Sequence, residues 1–172
     1  GAWPTPGKRL EMLEEALKVM SLLWGSTGPI TFEGSYYSLT NATLFTRPPK
    51  PIPVYFSAIG PRASRMAGLL GDHLITVARD PKILKDVIIP NFEAGAREAG
   101  KDPATMERAL AVLYFYDPEH LVDPEAMKVS ASEAKIEVAG EGSQMELWHS
   151  PEDIIGRIEE WKRLGFDHLI FG

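Results

Sequence analysis

The 172-residue sequence has no cysteine. That excludes disulfides and thiolate metal sites. No apolar run approaches the ~20 residues that a membrane span needs. Lys and Arg form no block, and the net charge is −6. Nucleic-acid binding, which neutralises phosphates with clustered cations, is therefore not expected. Neither GxGxxG nor a Walker loop occurs, and no HExxH or Ser-His-Asp order stands out. The first residues lack a basic-then-apolar leader, so the expected location is the cytoplasm.

What remains is ordinary for a globular α/β protein: 44% apolar and 24% charged residues, in a length that suits one domain. After the loop-like "GAWPTPG", Leu10, Leu13, Leu17, Met20 and Trp24 recur at spacings of three and four. This predicts a helix from Lys8 that Gly25 stops. "GPITFEGSYYSLTNATLF" reads as a β-hairpin, and "RPPKPIP" (47–53) as a stiff connector. An alternation follows: strand "VYFSA", helix Pro61 to Leu70, strand "HLITVA", then a helix from Asp80 or Pro81 to about Glu98, with a break at Pro90-Asn91. Strand "ALAVLYFY" precedes an acidic, irregular stretch to about Trp148, with a short helix near 123–135. "SPED" opens a helix through Leu164, and "FDHLIF" is the last strand. Ser150 suits an N-cap, with Pro151 at the first helical position. "LGDHLI" (70–75) and "LGFDHLI" (164–170) repeat one helix-to-strand joint. Apolar strands alternating with helices indicate a parallel sheet, either doubly wound or part of a (β/α)8 barrel.

The stretch "VYFSAIGPRAS" holds the main candidate site. Gly60 and Pro61 stand where a strand gives way to a helix. The leading amides of a helix lack intrahelical acceptors and, with the helix dipole, attract anions. Gly60 admits a ligand close to the backbone. Pro61 presets the helix, and Arg62 adds charge beside the Arg62 and Ala63 amides. A plain strand-to-helix turn is the competing reading. Val77, Ala78 and Arg79 end the next strand on the same edge, and Arg79 suits an anionic group. Asp117 and His120 follow the third strand on that edge; a solvated loop is the bland reading of both. His73 and His168, each beside an Asp, open strands on the opposite, structural edge. Glu133, Glu137, Glu141 and Glu146 are dispersed and read as solvated loop, and "YFY" (114–116) reads as core.

The ordered segments resemble the luciferase-like flavin and deazaflavin oxidoreductases, in the branch of the F420-dependent glucose-6-phosphate dehydrogenases. "GAWP" with a helix ending in "LLW" is similar to the family's segment after the fourth barrel strand. "FEGSYYSLTNATLF" resembles its F-x-G-x-Y-Y-x-L hairpin, and "PVYFSAIGPRASRMAGLLGDHLI" its P-V-Y-x-A-x-G-P strand and helix. "GFDHLIF" resembles its eighth strand. The resemblance implies the second half of a (β/α)8 barrel, with four parallel strands, helices and a hairpin insertion, as one domain over residues 1–172. A full barrel takes roughly 250 residues, so the chain is expected to be a fragment or a half-barrel. The family's catalytic His and ring-side acid lie in the first half, so no catalytic residue is expected here.

By the same resemblance, Ile59, Gly60, Arg62 and Ala63 hold a cofactor phosphate. From their place at the ligand-side strand ends, Ser57, Ala58, Val77 and Ala78 are expected to adjoin the cofactor, and Arg79 and His120 to face a small-molecule substrate. The implied cofactor is coenzyme F420, with FMN, as in a monooxygenase of the same superfamily, as the alternative. The family's phosphate-gripping Lys aligns with Asp80, which disfavours glucose 6-phosphate. A secondary alcohol, a pterin-type carrier and another carbonyl compound stay open. A non-catalytic, self-associating half-barrel is a further reading. Two open sheet edges predict a homodimer, and the isolated chain is expected to be inactive.

Overall fold

A computed structural model describes residues 3–77, 80–123 and 146–172. The helix expected near 123–135 lies almost wholly outside them, as do Glu133, Glu137 and Glu141. The chain gathers into two compact units, Gly1–Pro53 and Val54–Gly172; the single-domain expectation spans both. Among the described residues, no helix is long and apolar enough to cross a membrane.

In the first unit, helix α1 (Pro6–Gly25) is capped by Thr5, whose side chain accepts from the Lys8 amide. The hairpin pairs β1 (Ile30–Glu33) with β2 (Ser38–Ala42), as expected. Glu15 of α1 ties the two together: its carboxylate accepts from the Ser35, Tyr36 and Tyr37 amides at 2.9, 2.7 and 2.7 Å. Burial works against its charge, yet these amides and Lys18 hold its carboxyl below the usual glutamate range. A side chain at Gly34 would strike that carboxylate. The glycine of the hairpin motif therefore makes room for Glu15.

The second unit is built on four parallel strands in sequential order: β3 (Tyr55–Ser57), β4 (His73–Val77), β5 (Arg108–Val112) and β8 (His168–Phe171). An order without reversal belongs to a barrel rather than a doubly wound sheet. One face, carrying Phe56, Leu74, Thr76, Leu110 and Val112, is buried. On the other, Ala109 is buried, while Tyr55, Ile75 and Ile170 are half-buried or exposed. The fold is the second half of a (β/α)8 barrel.

Helix α2 (Pro61–Leu70) follows β3 with the predicted bounds. After β4 the helical run starts as α3 (Pro81–Ile83), widens into a π-turn (Leu84–Ile88) and continues as α4 (Ile89–Glu98). The irregularity expected at Pro90 is absorbed one turn earlier. Proline has no amide and crowds the preceding turn. The Asn91 side chain satisfies the Val87 carbonyl at 2.7 Å. Leu84, Ile88 and Phe92 are fully buried along this run, each worth about 1.5–3 kcal/mol. Gly68 of α2 and Gly95 of α4 lie against backbone of the facing helix: a Cβ on either would stand on the carbonyl of Phe92 or Arg65. Lys101 closes the far end of α2, donating to the Gly68, Leu69 and Gly71 carbonyls at 3.3, 3.1 and 2.7 Å.

Strand "ALAVLYFY" is two strands, not one. Its neighbour changes at Leu113. Before it, Gly172 donates to Val112, at the end of the β8 ladder; at it, the Glu146 amide donates to the Leu113 carbonyl. Strand β6 (Tyr114–Tyr116) then pairs in parallel with β7 (Glu146–Trp148). This corrects the core reading of "YFY": all three rings are exposed. It also corrects Glu146, which is no loop residue; its carboxylate forms a two-pronged pair with Arg157. Helix α5 (Pro151–Arg163) opens on a full capping box, Ser150 with Asp153, and buries Trp161.

The repeated joint has one structural logic. Asp72 accepts from the Val54 amide at 2.8 Å, and Asp167 from the Arg108 amide at 2.9 Å. In each copy the aspartate before the histidine seats the neighbouring strand. His73 accepts from the Glu107 amide at 3.0 Å, and His168 lies 3.1 Å from the Glu107 carboxylate, which the Tyr55 hydroxyl also meets. Both histidines sit on the structural edge, as expected. The Tyr55 and His168 bonds hold the Glu107 carboxyl below the usual glutamate range.

Gly68→Ala and Gly95→Ala each lower stability by about 1–3 kcal/mol in urea titrations, through overpacking. Gly156→Ala, in α5 with open space at its Cβ, raises it by about 0.5–1 kcal/mol; equal signs at all three sites contradict this packing. Glu107→Gln lowers the melting temperature at neutral pH. A carboxyl depressed in the folded state stabilises above the ordinary glutamate range and loses that effect as pH falls through its folded value. The gap to the unmodified chain therefore closes in acid, and a gap that widens there refutes the assignment.

Candidate functional site

The four parallel strands all end at one edge, where β3 and β4 hand over to α2 and α3, so that edge gathers the residues that follow the strands. Ser57 ends β3, exposed, in register with Ile75 of β4. Ala58 is buried, and its amide extends the ladder to the Ile75 carbonyl at 3.0 Å. Ala58 thus presents its backbone, not its side chain. Ile59 and Gly60 are half-buried. Val77 ends β4 beside Ala111 of β5. These residues share the edge with Arg62 and Ala63. Ala78 and Arg79 lie outside the described residues.

Gly60 is the N-cap of α2, with φ −144° and ψ 170°, and no side chain caps the helix. Pro61 takes the first helical position, Arg62 and Ala63 the next two. The first intrahelical bond runs from the Ser64 amide to the Gly60 carbonyl at 2.9 Å, doubled by the Ser64 hydroxyl at 2.8 Å. That extended backbone suits any residue. A Cβ at Gly60 would meet nothing within 4 Å among the described residues. Neither conformation nor packing among the described residues requires a glycine here. Open space over an uncapped helix start is a cradle for an anion.

His120 stands on the same edge but in a second group, beyond β5. Asp117 is buried, and its carboxylate accepts from the Val122 and Leu121 amides at 2.8 and 3.0 Å. These bonds, Val122's foremost, hold its carboxyl below the usual aspartate range. Within that turn His120 has φ 55°, and its ring stacks on His149 with centroids 4.0 Å apart. The Asp117 carbonyl accepts from His149 Nδ1 at 2.7 Å. Asp117 is thus a turn anchor rather than a solvated loop residue. His149 escaped the sequence reading because nothing in its local spacing links it to a residue 32 positions earlier.

Among the described residues, no His, Asp and Glu set gathers as metal ligands do. A hollow of about 390 Å³ lies on the open sheet face, lined by Tyr55, Ile75, Ala109, His168, Leu169 and Ile170. It reaches toward the structural edge and does not include the Gly60 switch.

Residues 1–127 match the luciferase-like monooxygenase family. The F420-dependent glucose-6-phosphate dehydrogenase of Microbacterium testaceum (strain StLB037) is 30% identical over 98% of this chain and 56% of its own. The chain thus spans about half the length of the curated relatives it matches. A solved F420-dependent secondary alcohol dehydrogenase, in complex with an F420–acetone adduct, is 37% identical, with a TM-score of 0.83 over 100% of this chain and 58% of its own. The coenzyme F420 dependent tetrahydromethanopterin reductase of Methanopyrus kandleri shares the fold at 20% identity, with a TM-score of 0.66 over 92% of this chain and 56% of its own. With the parallel half-barrel, the hairpin and the Gly-Pro switch in place, the chain belongs to the luciferase-like monooxygenase family.

Proposed function

We propose that this chain is the cofactor-holding half of a coenzyme F420-dependent oxidoreductase. The observation that carries the reading is the uncapped start of α2, with open space over Gly60 at the ligand edge of the sheet. The cofactor phosphate rests on the Arg62 and Ala63 amides, close to the Gly60 backbone. Ser57, Ile59 and Val77 border it from the ends of β3 and β4. F420, when bound, supplies a deazaflavin ring that takes or gives a hydride; the chain's own part is to grip and orient. Relatives named for F420, at 30% and 37% identity, favour F420 over FMN.

Two further expectations follow the same reading. The substrate is a small molecule, and the half-barrel self-associates through β3 and β8, the edge strands of its sheet.

Quenching of F420 fluorescence tests the grip. Gly60→Val fills the open space with a residue that suits an extended backbone, so it weakens F420 binding at least about tenfold and leaves the melting temperature unchanged. Unaltered binding by this variant, or FMN bound in preference to F420, would sink the proposal. Light scattering checks the association: a dimer is expected, and a monodisperse monomer contradicts it.

A further inference from the structure

Between β1 and β2 the chain turns through Gly34, Ser35, Tyr36 and Tyr37. The Gly34 amide stays inside the turn and donates to the Tyr37 carbonyl at 3.0 Å. The other three amides converge on the carboxylate of Glu15 in α1: Ser35 donates to Oε2, Tyr36 and Tyr37 to Oε1. Successive amides turned to one point form a cradle of partial positive charge. One amide serves one oxygen and two serve the other, so the cradle suits a planar head with two oxygens. Gly34 keeps it open, because a Cβ there would strike the Glu15 carboxylate. Around it, the Tyr36 hydroxyl donates to Glu11 at 2.6 Å, Lys8 lies over the Tyr36 ring, and Lys18 bonds Glu14 at 2.8 Å.

We propose that the hairpin tip is a carboxylate receptor with Glu15 as its built-in ligand, so that the hairpin is latched onto α1 while Glu15 is ionised and released when it is protonated. An ionised carboxylate is acceptor-only and takes all three amides; a protonated one turns an O–H donor toward amides that are donors themselves. Bonds to the charged form are also about twice as strong as neutral ones. Burial opposes the charge, but the Tyr37, Tyr36 and Ser35 amides together with Lys18 outweigh it, and release falls below the usual glutamate range. The sign follows: a carboxyl depressed in the folded state holds the latch above that range and loses it as pH falls through its folded value. Tyr36, bonded to Glu11, is a second and separate fastening. The latch is independent of the proposed cofactor grip.

Amide NMR on the ¹⁵N-labelled chain tests the latch and the receptor. In an acid titration the Ser35, Tyr36 and Tyr37 amide protons are expected to move upfield together, with one midpoint below that of an ordinary glutamate. Glu15→Gln, which cannot ionise, abolishes that step, and Tyr36→Phe keeps it. Three unrelated midpoints, or a step that survives in Glu15→Gln, overturn the proposal. Glu15→Ala empties the receptor. At neutral pH, acetate is then expected to shift the same three amides saturably, or, where the variant's hairpin frays, to restore its cross-strand signals; in the unmodified chain, acetate leaves them in place. Chloride is expected to bind more weakly than acetate. No response of the variant to acetate, chloride bound as tightly, or an equal response of the unmodified chain overturns the proposal as well.

Discussion

The close contact of α2 with α4 sets the geometry on which the candidate site depends. Two glycines, Gly68 and Gly95, let the backbones of these helices meet. A helix start acts on an anion only if its axis is held, because the field of the leading amides falls off within a turn. Here the axis is held along its length. The Gly68 contact fixes the middle, Lys101 the C-terminal carbonyls, and the doubled Ser64–Gly60 bond the first turn. With the helix seated, Gly60, Arg62 and Ala63 are held at the edge where β3 ends, as the proposed phosphate grip requires. Preorganisation of this kind is where affinity is gained.

The parallel sheet imposes a division of labour. One edge is occupied by the Asp-His joints, whose aspartates seat Val54 and Arg108 and whose histidines gather on Glu107. The other edge is left to loops, and there the charge is distributed unevenly. The positive end of α2 lies at β3, while Asp117 and its acidic neighbours lie beyond β5.

Much of this was legible in the sequence, because the informative signals were local. The Gly-Pro switch, the bounds of α2, the Ser150 cap and the repeated joint each lie within a few residues of their cause. What was not legible depends on partners far along the chain. "YFY" looks like core until β7 pairs with it and leaves its rings outside. Glu146 looks like solvated loop until Arg157 engages it from the next helix. His149 has meaning only beside Asp117 and His120. The role of Gly34 was hidden for the same reason: the group that requires a glycine there, Glu15, sits on α1.

The central claim is that the Gly60 switch grips a phosphate, and calorimetric titration with F420 and with its phosphate-free deazariboflavin core tests it most directly. The account predicts that this core, which keeps the ring and loses the phosphate, binds at least about 100-fold more weakly, near the 2.7 kcal/mol that two tenfold steps represent. Equal affinity for the two compounds would contradict it.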